Sequence, residues 1–184
     1  MSASYERLDF GPGWQTTNDH LVELVDLFPS DSLDWSPRED EWSARVIFAH
    51  VISARYHGPI PGPEDLAHLP SVFGNCANPN GIKGEMNRSW SMLARFLSDI
   101  DRLDAVYDDG SRPAETHLAA PAMMGSVERA TAGYVIGYTD HPVRYTGHYI
   151  AYHRFAHDLH HRSTLIGYLS QLGVTLDDHR IRPL

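Results

Sequence analysis

The sequence predicts an all-α fold, a four-helix bundle with a long crossover between its second and third helices. Apolar side chains recur at three-and-four spacing over several separate stretches, the pattern of helices that each bury one face. The stretch from 58 to 84 holds five of the 12 prolines and five of the 14 glycines, which suits a long connection that lets its flanking helices run parallel. The length of 184 residues suits a single domain, 1–184, with a core large enough to stand without disulfides or structural zinc.

Helix 1 is read from Trp14, Leu21, Leu24, Val25 and Phe28 on one face, with Pro29 stopping it. Helix 2 is expected over about 43–57, with Ser43 as N-cap and a Gly58-Pro59 stop. Trp42 before the cap and Ile47 after it have the spacing of a hydrophobic staple. The crossover is expected to hold at most one short turn, around Glu64–Leu69. Helix 3 follows from Met86, Trp90, Leu93, Leu97 and Ile100, a seam with steps of 4, 3, 4 and 3, and is expected over Glu85–Asp104. The segment 126–141 leans towards helix, although its glycines and its Tyr, Val, Ile and Thr content also suit a strand. Helix 4 opens near Thr146 and ends at a Gly173 C-cap, with Ile150, His153, His157, His161, Leu165, Tyr168 and Leu172 along one face.

Composition excludes several function classes. With 15 Lys and Arg against 24 Asp and Glu the formal net charge is -9, and without a basic run nucleic acid is not an expected partner. Cys76 is the only cysteine, which rules out an internal disulfide or a cysteine-rich zinc module and fits a reducing cytoplasm. The start MSASYERLDF lacks the apolar run of a secretion signal, and no stretch approaches the roughly 20 apolar residues of a membrane span. A cytoplasmic protein acting on a small-molecule substrate is therefore expected, with no membrane partner.

The chemistry is expected from the 12 histidines, five of which fall between 148 and 161. His157 and His161 stand one helical turn apart, so both imidazoles reach one cation. His50, on the apolar face of helix 2 and at its midpoint, is the third candidate, since the 157/161 pair straddles the midpoint of helix 4. Alone, His50 reads more simply as a core histidine bonded to a carbonyl or hydroxyl. Joined to the pair, it makes a three-imidazole site with a fourth position left for water or substrate, the donor set of a catalytic divalent-metal centre. His153 is expected beside this site as a pocket residue, while His148, His160 and Arg162 point elsewhere. Asp158 is expected to have no special geometry towards its neighbour His157. Tyr134, Tyr138, Tyr149 and Tyr152 read as core or rim aromatics, and Cys76 as an incidental thiol.

Two segments carry a family resemblance. LDWSPREDEWSARVIFAHV resembles the start of the second helix of the DinB-like (YfiT-like) metalloenzymes, where a Trp-Ser pair precedes an inward histidine. HRFAHDLHHRSTLIGYLSQLG resembles the last helix of that family, with its H-x-x-x-H pair and a Tyr-Leu ending. The resemblance implies a four-helix bundle with parallel second and third helices, His50, His157 and His161 as metal ligands, nickel or zinc as the ion, and homodimers. Members of the family with assigned chemistry include thiol-dependent S-transferases and isomerases using mycothiol or bacillithiol, and metal-dependent hydrolases. Two departures stand out: Ser163-Thr164 replaces a common Gly-Gln, and the link 105–145 is longer than usual, which bears on the substrate more than on the metal. The expectation is a metal-dependent enzyme that activates a low-molecular-weight thiol. A hydrolase using activated water and a non-catalytic metal-binding or dimeric protein stand as alternatives.

Overall fold

The computed structural model describes residues 11–29, 31–108 and 144–176, and these are mostly helical. Among the described residues four long helices carry the core: α1 (Gly11–Leu27), α2 (Ala44–Arg55), α5 (Pro79–Leu97) and α7 (Gly147–Gln171). Each of α1 and α2 packs against both α5 and α7, so the apolar faces of all four turn towards a shared interior. Trp14, Leu21, Phe48, Ile52, Met86 and Phe96 are fully buried there. Full burial of side chains of this size contributes about 1.5–3 kcal/mol each. Among the described residues no helix is long and apolar enough to cross a membrane.

Local chemistry sets the ends of the helices. The Ser43 hydroxyl accepts from the Val46 amide at the start of α2, and the Thr146 hydroxyl accepts from the Tyr149 amide at the start of α7. Gly58 and Gly173, with φ of 79° and 76°, take the left-handed conformation that lets the chain leave α2 and α7. These ends agree with the sequence reading.

Between α2 and α5 the chain is more helical than its prolines and glycines suggest. It forms α3 (Pro63–His68), a 3-10 turn (Leu69–Ser71) and α4 (Val72–Asn75). Proline is tolerated in the first turn of a helix, and both α3 and α5 begin on one, at Pro63 and Pro79. Helix α5 therefore starts six residues earlier than expected, with the Asn78 side chain accepting from the Gly81 amide. It also ends earlier. The Asp99 carboxylate accepts from the Arg102 amide and opens a separate short helix, α6 (Ile100–Asp104), on which Ile100 is 50% exposed instead of completing the seam.

A two-stranded antiparallel ladder, β1 (Val106–Asp108) with β2 (Arg144–Thr146), places Val106 opposite Thr146 and delivers the chain to α7 beside α6. Strands of three residues are too short to leave an alternation pattern, and none was expected at these positions. The helical lean at 126–141 lies outside the described residues.

Candidate metal centre

Three half-buried histidines meet where α2 packs on α7. His50 projects from α2, and His157 and His161 from successive turns of α7. His50 Nε2 lies 3.0 Å from His157 Nε2. Ring centroids are 5.0 Å apart for His50 and His157, 4.9 Å for His50 and His161, and 4.5 Å for His157 and His161. One nitrogen from each ring falls within 4.8 Å of the others, and no further trio of metal-ligating side chains of this kind occurs among the described residues. Trp42 walls the cluster, its ring edge-on to His50 at 4.8 Å and stacked on His161 at 6.4 Å. That contact gives the residue before the helix cap a place against the cluster that staple spacing alone does not convey.

Burial keeps two of the donors neutral. Desolvation first, and then repulsion from the neighbouring imidazoles, lowers His50 to about 3 and His161 to about 3. Their lone pairs are therefore available at pH 7. Ring nitrogens holding one ion at 2.0–2.1 Å in a tetrahedral shell stand about 3.3 Å apart. The present separations need only small side-chain rotations to reach that arrangement, so these residues fit zinc or a neighbouring divalent metal.

Directly behind His157 lies a buried ionic layer that sequence reasoning missed. Arg55 is fully buried on α2 and Asp158 is 1% exposed on α7. Asp158 Oδ2 accepts from Arg55 Nε at 3.0 Å, Arg55 Nη2 at 2.8 Å and Trp14 Nε1 at 2.7 Å. Arg55 Nη1 donates in turn to Asn18 Oδ1 at 2.9 Å and Ser89 Oγ at 3.0 Å, tying all four long helices together. Burial pushes the Asp158 carboxyl up, but the Arg55 guanidinium, with His157 and Trp14, outweighs it and holds the group below the usual carboxylate range. Its other oxygen, Oδ1, lies 3.7 Å from His157 Nδ1. The expectation that Asp158 has no special relation to His157 is thus corrected. One residue along a helix turns the side chain by about 100°, which aims Asp158 into the interior, yet its carboxylate is short enough to reach back towards the adjacent ring.

The remaining sequence candidates divide by position. His153, expected to support a ligand or to line the substrate pocket, is exposed and stacks on Tyr149 at 6.3 Å. Tyr149 and Tyr152 are 49% and 53% exposed, while Tyr134 and Tyr138 lie outside the described residues. His148 pairs with Asp104 at 3.1 Å, and His160 is exposed with its ring 5.0 Å from that of His161. Arg162 is buried. Cys76 is buried as well, and desolvation followed by the nearby Glu85 charge pushes its thiol up to about 12.

No family model, curated protein or solved structure matches this chain.

Proposed function

We propose that the chain is a DinB-like four-helix bundle, with the connection from α2 to α5 as its crossover, and a divalent-metal-dependent enzyme that transfers a low-molecular-weight thiol to an electrophilic small molecule. His50, His157 and His161 hold the ion, zinc or nickel. The observation that carries this reading is the convergence of three imidazole nitrogens from two helices within 4.8 Å. Bound there, a divalent cation supplies the positive charge that keeps a small thiol deprotonated at pH 7. The protein's own part is to keep His50 and His161 neutral by burial and to wall both rings with Trp42. The nucleophile comes from outside the chain, because Cys76 is buried and its thiol is held protonated. In the reaction a sulfur–carbon bond forms to the electrophile, the leaving group departs with its electron pair, and the thiol proton passes to solvent. A cytoplasmic location, where small thiols stay reduced, and a homodimer complete the proposal.

Elemental analysis after purification with zinc or nickel is expected to find about one ion per chain. The loaded protein, given bacillithiol, mycothiol or a simple analogue with a chromogenic electrophile, is expected to form the conjugate, and His157→Ala to abolish it. Ester or amide cleavage without conjugation would make the protein a hydrolase, and folded protein that takes up no metal would end the reading.

A further inference from the structure

His157 Nδ1 and Asp158 Oδ1 are both buried without a hydrogen-bond partner. They face one another at 3.7 Å, and a movement of about 0.8 Å closes the gap to an ordinary N–H···O distance. One is a nitrogen that carries a proton in one of two tautomers, and the other is a carboxylate oxygen that only accepts. Leaving both unpaired costs the desolvation of each, so the pair is complementary only when the proton sits on Nδ1.

We propose that Asp158 is a positioning residue that sets the tautomer of His157, holding the proton on Nδ1 and leaving the lone pair on Nε2, turned towards His50 and the metal position. The inference deepens the metal-centre reading and rests on it for its consequence, but the tautomer itself belongs to the metal-free chain. Asp158 is suited to this because its other oxygen is committed. Arg55 and Trp14 hold Oδ2 with three donors, so the carboxylate neither rotates nor exchanges its oxygens, and Oδ1 stays aimed at the ring. Metal-ligating histidines commonly donate their second N–H to a carboxylate in this way. In the metal-free chain His50 Nε2 then donates to His157 Nε2 across the 3.0 Å gap.

The arrangement makes a sharp prediction for Asp158→Asn. Arg55 and Trp14 are donors only, so the asparagine must turn its carbonyl oxygen to them and its NH2 to His157. That NH2 demands a lone pair on Nδ1, which moves the proton to Nε2 and blocks the nitrogen that faces the metal position. The experiment is long-range proton–nitrogen NMR of imidazole nitrogens in metal-free protein, with the His157 signals assigned by their loss in His157→Gln, and zinc affinity measured by competition with a chromophoric chelator. Wild type is expected to show His157 protonated on Nδ1, and Asp158→Asn to show it protonated on Nε2 with zinc affinity lowered about 10–100-fold. Trp14→Phe, which disturbs the same buried layer from the Oδ2 side, is expected to leave the tautomer as in wild type. Wild-type His157 protonated on Nε2 overturns the proposal without need of any variant, and so does an unchanged tautomer in a folded Asp158→Asn protein. Absence of zinc binding in wild type would end the metal-centre reading, while the nitrogen signals would still decide the role of Asp158.

Discussion

His68 and His157 are equally exposed, with 20% of each side chain open to solvent, and each has a buried carboxylate within 4 Å. Their surroundings differ in one respect. On His68, Nε2 is 2.8 and 3.0 Å from the Glu85 oxygens and Nδ1 is 3.2 Å from Ser71 Oγ, so protein groups occupy both ring nitrogens. On His157, Nε2 meets another imidazole and Nδ1 stops short of a carboxylate that three donors have claimed. A histidine beside a carboxylate is thus an ordinary way to satisfy a half-buried ring. The mark of a metal centre is that ring nitrogens from distant parts of the chain have each other as nearest partners, since lone pairs that converge on one point repel one another and suit a cation well.

The strongest way to break this contrast is to delete one ring from each site. His161→Ala is expected to lower zinc content from about one ion per chain to below about 0.1, an affinity loss of about 100-fold or more, with the helical circular dichroism unchanged because the apolar core remains. His68→Ala and the exposed His160→Ala are expected to keep their zinc. Loss of metal in either of those two would mean that the ligands have been misassigned.

The metal-site half of this contrast was legible in the sequence, and the missing part has a physical reason. The i,i+4 spacing of His157 and His161, the Ser43 and Thr146 caps and the Gly173 stop are local signals, and the structure keeps all of them. The ionic layer is not local. Arg55 and Asp158 are 103 residues apart, and a charged residue in an amphipathic helix reads as solvated until its partner is known. The start of α5 was hidden for a different reason: Pro79 and Gly81 count as breakers in a composition scan, but in the first turn they follow an Asn78 cap and cost little. The break after Leu97 was hidden because Ile100 continues the apolar period across an Asp99 that caps a new helix.

A second effect is a pH dependence of stability that comes from the metal centre. In the metal-free fold His50 and His161 are lowered to about 3, against 6.5 for an unfolded chain. Between those values the unfolded chain binds more protons than the fold, so stability is full above pH 6.5 and falls as pH drops towards 3. Each group contributes a slope of up to about 1.4 kcal/mol per pH unit. Urea denaturation of metal-stripped protein from pH 7 to 4.5 is expected to show this decline, and the double variant His50→Gln, His161→Gln to flatten it. Parallel profiles for variant and wild type would show that these rings are not desolvated.

The smallest effect tests what holds His68. Ser71 Oγ donates to the His68 carbonyl oxygen at 2.7 Å, faces Nδ1 and accepts from Asn75 Nδ2 at 3.4 Å, so Ser71→Ala removes three contacts at once. Ser71 is exposed, however, and water replaces the hydroxyl at each of these atoms, which reduces the net worth of each contact below the usual 0.5–1.5 kcal/mol. A stability loss of about 0.5 kcal/mol or less is expected in urea denaturation, with zinc content unchanged. Glu85 has only 8% of its side chain exposed and also accepts from Asn75 Nδ2 at 2.7 Å, so water has no comparable access to its side of the ring. A loss above about 2 kcal/mol for Ser71→Ala would mean that His68 depends on both partners. A small loss would mean that one buried carboxylate is enough to hold a half-buried imidazole in place.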